Sequence, residues 1–84
     1  MKEVLMQNLL DFIVRQFPQA RHKKITEEDS LLRTGIVDSL GVLELVTHLA
    51  ETYGIEITEE DLVPENFDSV KAICRLVERK RNGH

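Results

Sequence analysis

Apolar positions recur at helical spacing in three stretches of the chain, separated by segments rich in Pro, Gly, Asp and Thr. In residues 3 to 17, Val4, Leu5, Leu9, Phe12, Ile13 and Phe17 share one side of the repeat, which predicts an amphipathic helix ended by Pro18. A second helix is predicted from Ser39. Asp38 is its N-cap, Gly54 its stop signal, and Val42, Leu43, Val46, Leu49, Ala50 and Tyr53 its stripe, widened by Leu40 and Leu45. Thr58 followed by Asp61 resembles a capping arrangement and predicts a short third helix that stops before Pro64. Asp68 or Ser69 caps a fourth, with Val70, Ile73, Cys74 and Val77 on one face. Lys71, Arg75, Arg79, Lys80 and Arg81 gather toward its C-terminal end, where cations complement the helix dipole.

Only Gly54-Ile55-Glu56-Ile57 alternates in the manner of a strand, and it is short. The expected fold is therefore all-α, a four-helix bundle with a long first loop and a short third helix. That loop, residues 18 to 37, starts basic with Arg21, Lys23 and Lys24. Its Ile25, Leu31, Leu32, Ile36 and Val37 predict that it packs on the core.

Length bounds the answer to one domain, residues 1–84. The only aromatics are Phe12, Phe17, Phe67 and Tyr53, so the core must be mainly aliphatic. No apolar run is long enough to span a membrane, and the N-terminus lacks the pattern of a secretory signal. Cys74 is the single cysteine, which rules out an internal disulfide and suits a reducing cytoplasm. Its place in an apolar stripe makes it a small buried hydrophobe.

The net charge of -4 is unevenly spread. Asp38, Glu44, Glu51, Glu56, Glu59, Glu60 and Asp61 fall in a segment with no Lys or Arg, and all 11 basic residues lie outside it. Such a segment repels phosphates, so nucleic acid is excluded as a partner. It suits a protein with a basic patch, although acidic runs also serve solubility alone.

The chemistry concentrates where Gly35-Ile36-Val37-Asp38-Ser39-Leu40 runs into Glu44-Leu45-Val46. A serine directly after a helix cap has an exposed hydroxyl at the positive end of the dipole, where a phosphodiester is stabilised. Asp and Ser at a helix start are common, so the tripeptide alone says little. An enzyme reading fails: Ser39 and His48 are separated by about 13 Å of helical rise, too far for a nucleophile and its base. His22, His48 and His84 have no metal-ligand spacing, and no calcium loop surrounds Gly35.

Taken together, Leu32 to Leu40 with Glu44-Leu45-Val46, Tyr53 to Ile57, and Asn66 to Val70 resemble the acyl carrier protein family over nearly the whole chain. The family's Asp-Ser-Leu attachment motif falls on Asp38, Ser39 and Leu40. A second copy, Asp29-Ser30-Leu31, is followed within a turn by helix-breaking Gly35 and lacks the helix that the attachment site needs.

The resemblance implies a carrier and not an enzyme. A phosphopantetheinyl transferase would move 4'-phosphopantetheine from coenzyme A onto Ser39. An acyl-loading ligase or transferase would charge the arm, and downstream biosynthetic enzymes would use the thioester. It further implies docking through Glu44, Glu51, Glu56 and Glu59, and an acyl pocket lined by Leu43, Val46, Leu49, Ile57 and Leu62. Such a carrier is expected to be monomeric and cytoplasmic. Gly41, Ala50 and Thr52 depart from the acids common in housekeeping fatty-acid carriers, which favours a specialised pathway. Val37 in place of Gly argues against the peptidyl branch. The same residues left unmodified would make a helical interaction module with an acidic face, and the residues alone leave that alternative open.

Overall fold

The computed structural model describes residues 2–22 and 24–83; Lys23 and His84, named above, lie outside them. Five α-helices follow one another: α1 (Lys2–Gln16), α2 (Pro18–His22), α3 (Ser39–Tyr53), α4 (Pro64–Phe67) and α5 (Val70–Gly83). A 3₁₀ turn, Glu59–Asp61, precedes α4. No strand occurs among the described residues, so residues 54–57 are a plain extended connection.

Leu5, Leu9 and Ile13 put α1 into the core at i, i+4 and i+8. Val4, placed on the same stripe by its spacing, is instead exposed. Pro18 does end α1, but it also opens α2. At the first helical position its missing N–H removes no bond and its fixed φ suits the helix. Arg21 of α2 reaches back and donates from Nε to the Val14 carbonyl at 3.1 Å and from its guanidinium tip to that of Arg15 at 2.6 Å. The last turn of α1 is thereby capped by a side chain.

Residues 24–37 hold no helix, yet they are not loose. Leu31, Ile36 and Val37 are buried, as their apolar character predicts. The backbone is fastened to the α4–α5 junction: Leu31 N–H donates to the Asp68 carbonyl at 2.5 Å, and Lys71 N–H to that of Glu27 at 2.9 Å. The Asp68 carboxylate accepts from the Ser30 hydroxyl at 2.5 Å and, weakly, from Leu32 N–H at 3.4 Å.

Helix α3 runs as predicted. Asp38 caps its start, and Gly54, at φ +66, ends it by donating to the Ala50 carbonyl at 3.0 Å. That left-handed conformation favours glycine. Helix α5 buries Val70, Ile73, Cys74, Leu76 and Val77.

Between them the expected third helix is split. Asp61 accepts from both the N–H and the hydroxyl of Thr58, at 3.0 and 3.1 Å, but only a 3₁₀ turn forms. Pro64 then starts α4 where a stop was expected, again at a first helical position.

The Asp61 carboxylate also pairs with Lys80 of α5 at 2.5 Å, both side chains largely shielded. The hydrogen bond from Lys80, helped by those from Thr58, holds the Asp61 pKa below its usual value. A depressed carboxylate stabilises the fold above the unfolded-state pKa, and that stabilisation is lost as pH falls through the folded value. Lys80→Ala should therefore cost about 1 kcal/mol at neutral pH and much less in acid below the carboxylate range. Urea unfolding at the two pH values measures it, and an equal cost at both would remove Asp61 from the account.

Candidate functional site

Ser39 is the first residue of α3, and its side chain is exposed. The helix begins here because Asp38 is extended, at φ −105° and ψ −169°, and its Oδ1 accepts from Gly41 N–H at 2.8 Å. The Asp38 carbonyl takes the first helical bond, from Val42 N–H at 2.9 Å. The leading N–H groups of α3, those of Ser39 and Leu40, have no acceptor within the helix, the arrangement that favours an anion at a helix start.

Gly41, two residues on, is buried against Phe17. A Cβ there would stand 2.8 Å from Phe17 Cε1 and 3.0 Å from Val37 Cγ1. The α1–α2 corner therefore seats directly on the start of α3. Gly41 is a packing requirement, and the cost of glycine within a helix accompanies this close approach.

Beside Ser39 opens a cleft of about 460 Å³, with Asp38 and Ser39 at its mouth and Leu32, Val37, Val42, Leu62, Val63 and Phe67 along its sides. Of the five residues expected to line an acyl pocket, Leu62 does. Leu43 points away, 56 % exposed, into a separate groove with Phe12, Thr47 and His48. Leu49 is fully buried in the core, and Val46 and Ile57 are half-buried against it; none of the three borders the cleft. Val42 was missed, although it stands three residues after Ser39 on the same helical side. Leu32 and Phe67 come from segments that only the tertiary fold brings to α3.

The two serines differ in their surroundings. Ser30 is half-buried, donates to Asp68 and accepts Arg33 N–H at 3.0 Å. Leu40, beside Ser39, is 71 % exposed. Glu44 and Glu51 stand exposed on α3, and Glu56 and Glu59 on the segment after it.

His48 sits at the α1–α3 seam, stacked on Phe12 with ring centroids 3.7 Å apart, and Thr52 Oγ1 is 3.3 Å from its Nδ1. Burial, then the positive charge of Arg15, lowers its pKa, while Glu51 opposes the shift. Among the described residues no group of three or more His, Cys, Asp or Glu is arranged to hold a metal.

The family described as the phosphopantetheine attachment site matches residues 9–77. The chain belongs to the acyl carrier protein family. An acyl carrier protein homolog of Mycoplasmopsis pulmonis is 37 % identical over 70 residues, covering 83 % of this chain and 92 % of the relative. An acyl carrier protein of Buchnera aphidicola is 37 % identical over 57 residues, 68 % of this chain and 70 % of the relative. A probable acyl carrier protein of a Serratia species, PigG, is 28 % identical over 76 residues, 90 % and 87 % of the two chains. Membership makes this protein a carrier of phosphopantetheine-bound groups and not a catalyst. No described helix of the carrier is long and apolar enough to cross a membrane.

Proposed function

We propose that Ser39 is the attachment point and that the carrier, one domain over residues 1–84, shuttles acyl thioesters between enzymes of a biosynthetic pathway. The observation that carries this reading is the exposed serine at the start of α3, set at the mouth of an apolar cleft. The residues present fit a phosphopantetheine arm. Ser39 offers the hydroxyl for the phosphodiester, the start of α3 favours its negative charge, and the cleft offers apolar cover. When bound, the arm supplies a terminal thiol for the thioester. Asp38 holds the serine in register by capping α3, and Leu40 offers an apolar contact beside it.

The partners are a phosphopantetheinyl transferase, an acyl-loading ligase or transferase, and downstream enzymes, met by a cytoplasmic monomer. Incubation with a transferase and coenzyme A should add the mass of one arm, located on Ser39 by fragmentation. An unchanged mass would leave an unmodified interaction module.

The acids Glu44, Glu51, Glu56 and Glu59 make the docking face. Charge reversal of Glu44 and Glu51 together should lower the rate of transferase loading about tenfold at low salt, by weakening electrostatic steering. The loss should shrink as salt is raised, with the melting temperature little changed. Equal loading rates at low salt would reduce these acids to a solubility role.

Gly41, Ala50 and Thr52 leave α3 less acidic than in housekeeping carriers, which supports a specialised pathway and an acyl or aminoacyl cargo. Elongation by a reconstituted fatty-acid synthase at the rate of its own carrier would sink that reading.

A further inference from the structure

The cleft beside Ser39 has a floor that is hard to move. Phe67, 1 % exposed, is the largest of the buried residues that line it, ahead of Val37; half-buried Val42 and the exposed pair Leu62 and Val63 line it too. The core cluster to which Phe67 belongs is filled by fully buried Leu45, Leu49, Ile73 and Val77, and none of these borders the cleft.

The neighbours of Phe67 in the chain are each held in place. Asn66 donates to the Asp61 carbonyl at 2.8 Å and accepts from Arg79 at 3.3 Å. Asp68 holds Ser30 through its carboxylate and Leu31 through its carbonyl, both at 2.5 Å. The residues on either side of Phe67 are thus tied to other segments. Moving the ring inward meets close-packed side chains, and moving α4 outward breaks these hydrogen bonds. Leu62 and Val63, by contrast, are exposed and have room to close over a small guest.

We infer that Phe67 sets the length of acyl group this carrier shelters. A short chain enters between Val42 and Leu62 and stops at the ring; the remainder of a longer chain stays in water. The cargo class is therefore short acyl groups. This rests on attachment at Ser39, so the test reads attachment and shelter in the same samples.

The transferase loads the protein from acetyl-, butanoyl-, hexanoyl- and decanoyl-coenzyme A, and mass spectrometry locates the arm. Hydroxylamine cleavage of each thioester is then compared with that of the matching free acyl-pantetheine. Each methylene that enters the cleft should raise the sheltered population about fourfold. Protection should rise from acetyl toward hexanoyl and rise no further at decanoyl. Phe67→Val should extend the rise to decanoyl, with Phe67→Leu as the milder change should the valine variant fold poorly. Wild-type protection that keeps growing through decanoyl, or that is equal for every chain, overturns the inference while leaving attachment intact. Absence of arm mass on Ser39 overturns attachment and the inference with it.

Discussion

Ser39→Ala should remain folded and gain no arm, whereas Ser30→Ala should gain the arm on a weakened fold. The two serines lie in identical Asp-Ser-Leu tripeptides, so the difference is purely one of surroundings. Ser39 is exposed at a helix start, and among the described residues no hydrogen bond depends on its hydroxyl as Asp68 depends on that of Ser30. Its removal should change stability by no more than about 0.5 kcal/mol. Ser30 donates to the Asp68 carboxylate and accepts from Arg33 N–H. Losing a partly buried, charge-assisted bond of this kind should cost about 2 kcal/mol. Intact mass after transferase treatment, with urea unfolding of the same samples, gives both readouts. Arm mass retained on Ser39→Ala would end the attachment reading. Full stability of Ser30→Ala would show that the loop is held by its backbone bonds alone.

Gly41→Glu should destabilise the carrier by about 3 kcal/mol, by overpacking together with partial burial of a charge. Helix propensity pulls the other way, since replacing a helical glycine with alanine gains about 1 kcal/mol. The steric term wins because the atoms in the way belong to Phe17 and Val37, both buried and neither the free tip of a flexible chain. Glutamate adds a second carboxylate beside Asp38, whose Oδ1 lies 3.4 Å from the built Cβ and is already capping the helix. Gly41→Ala should show the smaller loss, about 1 kcal/mol. Phe17→Leu introduced into Gly41→Ala should recover part of it. A Gly41→Glu protein as stable as wild type in chemical denaturation would show that the α1–α2 corner yields freely. On this account the missing acid at residue 41 reflects packing as well as partner choice.

Features governed by near neighbours in sequence were legible. Asp38, Ser39 and Gly54 announce both ends of α3, and the stripe of α5 needs only its own periodicity. Proline was read only in part: elements do end before Pro18 and Pro64 as expected, but a residue that cannot continue a helix can still begin one, and both do. Thr58 and Asp61 do interact as their spacing suggests, yet three residues before Leu62 sustain only a 3₁₀ turn. The cleft was the least legible part. Leu43 and Leu49 share the apolar character of Val42, and only the placement of Phe67 and Leu32 shows which side of α3 faces the serine's pocket. The fastening of Ser30 to Asp68 was equally hidden, since the partners are 38 residues apart.

That separation makes the setting of Ser39 a product of long-range folding. The cap at Asp38 and the turns of α3 are local, whereas the loop before them is fastened only when Ser30 and Leu31 meet Asp68. Closing so long a loop costs entropy that is recovered only when the α4–α5 junction docks. The surface an enzyme meets around Ser39 therefore belongs to the folded domain and not to α3 alone.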